Sequence, residues 1–178
     1  MKKYTGYDLV LGGLLMALAL VFPVIFHAVG LGSSFLPMFY PIVTAGFLVA
    51  FPPALTVGLL SPLVSALITG MPPFFPPIVF IMMIEGIALV SVPALFYRKW
   101  KTNPWLTAIL TMLADRIVLF LTVSIISQWM DLPQRLLGIT ALVKGLPGVI
   151  AIIIIIPPFI KKMEKHFQIL PPYFLERK

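Results

Sequence analysis

Cysteine is absent from the 178 residues, which excludes disulfides, thiolate nucleophiles and cysteine metal sites. Charge is scarce too. Lys and Arg number 13 and Asp and Glu number 6, so charged residues make up 11% of the chain, where a soluble domain carries about a quarter. A water-soluble fold of this length has too few charges here to cover its surface. Histidine occurs twice, at His27 and His166. There is no phosphate-binding GxxxxGK[ST] loop, so ATP hydrolysis is not expected of the chain. HExxH, GxSxG and paired-glutamate motifs are missing as well. No catalytic residue, metal site or bound cofactor is expected, and the chain does not read as an enzyme.

What fills the chain is apolar. Hydrophobic residues make up 60% and the mean hydropathy is +1.07. Apolar runs of about 20 residues are long enough to cross a bilayer. Six such runs are expected in one all-α membrane domain over 1–178, at about 8–29, 37–51, 53–69, 77–97, 104–128 and 137–160. The basic, apolar start resembles a secretion signal. It lacks a convincing small-residue cleavage site, so a retained first helix is expected. Pro53, Pro77 and Pro104 open the third, fourth and fifth spans, where a missing N–H costs nothing. Spans two and three are short, and Pro41 and Pro62 interrupt them. Broken spans often border a cavity, because irregular backbone survives at depth only against protein or water.

Positive charge sets the expected orientation. Lys2 and Lys3, then Arg98, Lys99 and Lys101, then Lys161, Lys162, Lys165, Arg177 and Lys178 all fall on one side of a six-span chain. The other side holds only Arg135. Both termini are therefore expected in the cytoplasm, with loops 30–36, 70–76 and 129–136 outside. The net charge of +7 is mostly this signal. Because it is split among three short segments, no nucleic-acid partner is expected.

Four charges lie inside spans: Glu85, Asp115, Arg116 and Lys144. Each costs about 2.5–3.5 kcal/mol at mid-membrane on insertion scales, so such groups face the interior and pair. At about 1.5 Å per residue, Glu85 lies about 12 Å and Lys144 about 10 Å below the outer surface, and Arg116 about 18 Å above the inner one. These three are expected to converge. Asp115 is rotated about 100° from Arg116 and is expected to point elsewhere. A salt-bridge network that only locks helices together is the alternative.

The outer loops add aromatic and thioether side chains: Phe35, Met38, Phe39 and Tyr40 in "SSFLPMFYP", and Met71, Phe74 and Phe75 in "GMPPFFPP". An apolar lining with a few convergent polar groups suits a small-molecule pocket. Interfacial anchoring is the plainer account of Phe39 and Phe75. The expected substrate contacts are His27, Phe35, Met38, Tyr40, Met71, Phe74, Glu85, Arg116 and Lys144. Gly6, Gly13 and Ala17 lie on one face of the first span, where small residues allow close helix approach.

On "FHAVGLGSSFLPMFYPIVTAGFL", "GLLSPLVSALITGMPPFFPP", "MMIEGIALVSVPALFY", "DRIVLF" and "LPGVIAIIIIIPPFIKKMEK", nearly the whole chain resembles the substrate-binding S component of energy-coupling factor (ECF) vitamin transporters. Asp115 stands where that branch tends to have glycine, and Lys144 where it has an alanine-like residue. The resemblance implies a binding subunit for a small water-soluble vitamin or precursor in a prokaryotic cell membrane. It further implies that the face of Gly6, Gly13 and Ala17 docks on a transmembrane coupling subunit driven by two cytoplasmic ATPases. Nickel and cobalt relatives carry an N-terminal Met-His, whereas this chain begins Met1-Lys2, so an organic ligand is expected. Arg116 and Lys144 favour a carboxylate-bearing one, such as pantothenate. A solitary carrier or channel is the alternative, with an intramembrane enzyme behind it.

Overall fold

The computed structural model describes residues 4–75, 77–129 and 140–166. Lys2, Lys3, Arg135, Arg177 and Lys178, most of loop 129–136 and the start of the sixth expected span lie outside them. All regular structure among the described residues is helical: α1 Gly6–Ala28, α2 Gly32–Phe35, α3 Phe39–Leu48, α4 Phe51–Thr69, α5 Ile78–Pro93, a π-helix Ala94–Lys99, α6 Pro104–Trp129, α7 Thr140–Lys144 and α8 Leu146–His166. Five helical stretches are long and apolar enough to cross a membrane, and Gly32–Leu48 forms a shorter apolar segment. Their outward positions are apolar: Val10, Leu67, Ile68 and Ile125 are 60–74% exposed. Helices apolar on all sides need a lipid environment or a large core around them. This is the architecture of a multi-pass membrane protein.

The helices start where sequence chemistry permits. Asp8 caps α1, accepting from the Thr5 N–H and the Thr5 hydroxyl, both at 2.8 Å. Its other oxygen accepts from the Ala50 N–H at 2.7 Å. One fully buried carboxylate therefore satisfies orphan donors of two helices and joins the start of α1 to the α3–α4 corner. The Arg98 guanidinium donates to the Val49 carbonyl at the same corner, and the Tyr97 hydroxyl donates to Glu164 of α8. Both residues sit on the π-helix that continues α5 past Pro93. Serine and threonine hydroxyls along α4 and α6 donate to their own helix: Ser61 to Val57 O, Thr111 to Thr107 O and Thr122 to Val118 O, at 2.6–2.7 Å. No hydroxyl of this set needs water at depth.

Tight packing is carried by glycines outside α1. A Cβ on Gly46 of α3 would come within 2.9 Å of the Val90 carbonyl of α5, and one on Gly86 of α5 would overlap the Gly58 carbonyl of α4. On α1, Gly12, Leu15, Ala19 and Pro23 are buried. Gly13 and Ala17 are exposed, and a Cβ at Gly6 or Gly13 would meet nothing within 4 Å.

Three spans differ from expectation. Pro62 does not interrupt the third, since α4 runs through it as one helix of 19 residues, and Pro41 sits in the first turn of α3, where its missing N–H breaks nothing. The second begins as the short helix α2, turns at Leu36 (φ +50°) and restarts as α3. The sixth, expected to run unbroken over 137–160, consists of α7, a turn at Gly145 and α8, which extends to His166. Phe39 is 2% exposed in the core and so is no interfacial anchor, whereas Phe75 is 71% exposed.

Candidate functional site

A cavity of about 260 Å³ opens at the end of the bundle where residues 29–38 and 70–78 meet. Local chemistry builds each wall. The last turn of α1 stops at Gly30, whose φ of +74° suits a residue without a Cβ. Gly32 then packs on the His27 imidazole, and a Cβ there would lie 2.5 Å from three ring atoms. Glycine at 32 thus lets the chain fold back over the histidine. Across the cavity α4 ends at Gly70 (φ +73°), whose N–H donates to Ala66 O at 3.0 Å. The Ser65 hydroxyl donates to Met71 O at 2.7 Å, and the Met71 N–H donates to Thr69 Oγ1 at 3.2 Å. The Val79 N–H donates to Pro73 O at 3.3 Å. The proline-rich segment is thereby fixed to α4 at one end and α5 at the other.

Of the residues expected from sequence, His27, Met38 and Met71 line this cavity. Phe35, Tyr40 and Phe74 do not. The Phe35 ring lies 6.1 Å from that of Phe26, and its backbone is backed by Gly148 of α8. Tyr40 packs against the core, and Phe74 meets Phe80 edge-on at 6.4 Å. Sequence reasoning missed the rest of the wall, which includes Pro23, Gly32, Ser33, Ser65, Ile78 and Met82. Ile78 and Met82 are four apart at the start of α5, a helical spacing that could have been carried back from Glu85.

The buried charges form a separate cluster. Arg116 Nη2 lies 2.6 Å from Asp115 Oδ2 and 3.9 Å from Glu85 Oε1. Arg116 Nε also donates to Asp115 Oδ2, at 2.9 Å. The expectation that Asp115 points away from Arg116 is therefore corrected. The two Cα–Cβ bonds diverge, but the long arginine side chain curls back along α6 to its neighbour. Glu85 and Asp115 are 3% and 0% exposed. Asp115 Oδ1 and Arg116 Nη1 are buried without a hydrogen-bond partner. Lys144 does not join them. It is exposed at the end of the short helix α7, just before the turn at Gly145. None of these charged residues lines the cavity. Glu85 follows Met82 by three positions, about 4.5 Å further along the helix axis.

Comparison with protein-family models, with curated proteins and with solved structures finds no match to this chain.

Proposed function

We propose that this chain is the substrate-binding membrane subunit of an ECF-type importer for a small organic solute of the vitamin or vitamin-precursor class. The observation that carries the reading is the cavity. The two proline-rich loops that bear the sequence resemblance meet around one pocket, with His27, Met38 and Met71 in its wall. In the proposed arrangement both termini lie in the cytoplasm of a prokaryotic cell, the cavity opens outward, and two ATPases act through a transmembrane coupling subunit. The outward, unfilled position of Gly13 and Ala17 on α1 supports the last element, since a partner helix can approach there closely.

Affinity purification of the tagged chain from membranes of its own host tests this. A transmembrane protein and two ATPases should co-purify, and mass spectrometry should find a small organic molecule released on denaturation. A chain that purifies alone and still transports after reconstitution would make it a solitary carrier.

A further inference from the structure

We propose that the cavity takes an uncharged, planar aromatic or heteroaromatic molecule of about two fused rings, with one hydrogen-bonding edge turned toward His27 and Ser33. The proposal names the substrate class of the site described above and rests on that reading. It departs from the carboxylate-bearing ligand that the charge pattern of the sequence favours.

Size comes first. A dry cavity of about 150 Å³ holds one benzene ring. A volume of about 260 Å³, open at the end of the bundle, leaves room inside the walls for a second fused ring.

Charge comes next. Among the described residues, no acid, lysine or arginine lines the cavity. A carboxylate or ammonium held against the inner walls would lose hydration with no formal counter-charge beside it, which is unfavourable. Glu85, on the same helix as Met82, lies beside Arg116 and does not reach the wall.

Hydrogen-bonding capacity is equally thin. Pro23, Pro37, Pro72 and Pro73 contribute to the walls, and proline has no N–H to offer. The hydroxyl proton of Ser65 is already committed to the Met71 carbonyl. His27 and Ser33 remain, and both are exposed side chains at the cavity. A neutral imidazole supplies one donor and one acceptor, and a serine hydroxyl can act as either. Together they match one polar edge, not a molecule polar all round.

Ring character follows from the sulfurs. Met38, Met71 and Met82 surround the space with Phe39. Thioethers adapt to irregular outlines and favour contact with aromatic ring edges, while Phe39 can meet a ring edge-to-face. An aliphatic ligand would forgo both interactions.

Indole and indole-3-carboxylate share a bicyclic frame and differ by one charge, so they separate the alternatives. The full-length protein, purified in detergent and freed of bound solute, is dialysed against each at neutral pH. Indole should show saturable one-site binding, and indole-3-carboxylate should bind at least 10-fold more weakly. Ser33→Trp, which fills the rim, should reduce indole binding at least 10-fold; Ser33→Leu serves if the tryptophan variant does not purify. Equal or tighter binding of the carboxylate overturns the uncharged class and leaves the importer reading standing. Indole binding that is unsaturable, or indifferent to the rim variants, overturns the cavity as a ring-binding site. Co-purification of the ATPases is scored independently, so loss of the importer reading is seen separately from loss of the ligand class.

Discussion

The carbonyl of Gly58 lies against the backbone of Gly86, close enough that a Cβ on Gly86 would overlap it. The N–H that would normally donate to that carbonyl within α4 belongs to residue 62, and residue 62 is proline, which has none. The freed carbonyl therefore turns toward α5, and only glycine on the facing helix leaves it room. Gly86→Ala should lower unfolding stability by about 1–3 kcal/mol, the usual cost of overpacking. Gly13→Ala, at an open position inside α1, should instead raise it by up to about 1 kcal/mol, the helix-propensity difference between the two residues. Denaturant titration of the two variants in the same detergent checks the contrast.

Removing Arg116 alone should be severe. Arg116→Ala leaves Glu85 and Asp115 buried without their cation, and breaking a buried pair this way costs about 3–5 kcal/mol. Replacing all three, as Glu85→Met, Asp115→Leu and Arg116→Met, should recover most of that loss, because an apolar substitute leaves no charge stranded. Unfolding of the single and triple variants decides whether the cluster is a structural lock. A triple variant that recovers would show that the loss came from stranded charge, and one as unstable as Arg116→Ala would show that the network itself locks the helices.

Ser65→Ala should loosen the segment after α4. The variant loses one hydrogen bond, from Ser65 to the Met71 carbonyl, worth about 1 kcal/mol net. Chymotryptic cleavage after the exposed Phe74 should then speed up about fivefold if local opening precedes cutting. An unchanged rate would mean that the Thr69 and Val79 contacts hold the segment unaided.

Under the proposed importer arrangement, Gly13→Trp or Ala17→Trp should leave solute binding nearly unchanged and abolish energised uptake. Both positions face away from the cavity wall and from the core, and a bulky side chain would hold a partner helix several ångströms off. Pull-down of the coupling subunit, with binding measured in parallel, checks this. Docking that survives the tryptophan would move the partner surface elsewhere.

Helix placement was largely legible in the sequence, because hydropathy marks the apolar stretches and proline marks where α4, α5 and α6 begin. Glu85 and Arg116 stood out because an ionisable group in an apolar run has to be paired. Asp115 was misplaced because helical rotation fixes the direction of a Cβ, not the reach of an arginine. Phe35, Tyr40 and Phe74 were grouped with the cavity because loop composition says nothing about which way a ring turns. Here a left-handed residue at Leu36 (φ +50°) separates α2 from α3. The contacts of Gly46, Gly58 and Gly86 had no local signal, since they join three separate helices. The bond from the Ala50 N–H to Asp8 spans 42 positions of sequence, so no local pattern announces it.

The prolines and methionines around the cavity bear on how sharply it can tell one molecule from another. A wall with few donors or acceptors judges mainly by outline, and one methylene more or less in an apolar pocket changes preference only about 10- to 200-fold. Sites built around several hydrogen bonds reject analogues that lack them about 10⁴- to 10⁵-fold. A protein with this wall is permissive. Under the proposed import role, close analogues of the ligand would compete for the site, and a toxic analogue of matching shape should enter any cell that depends on it.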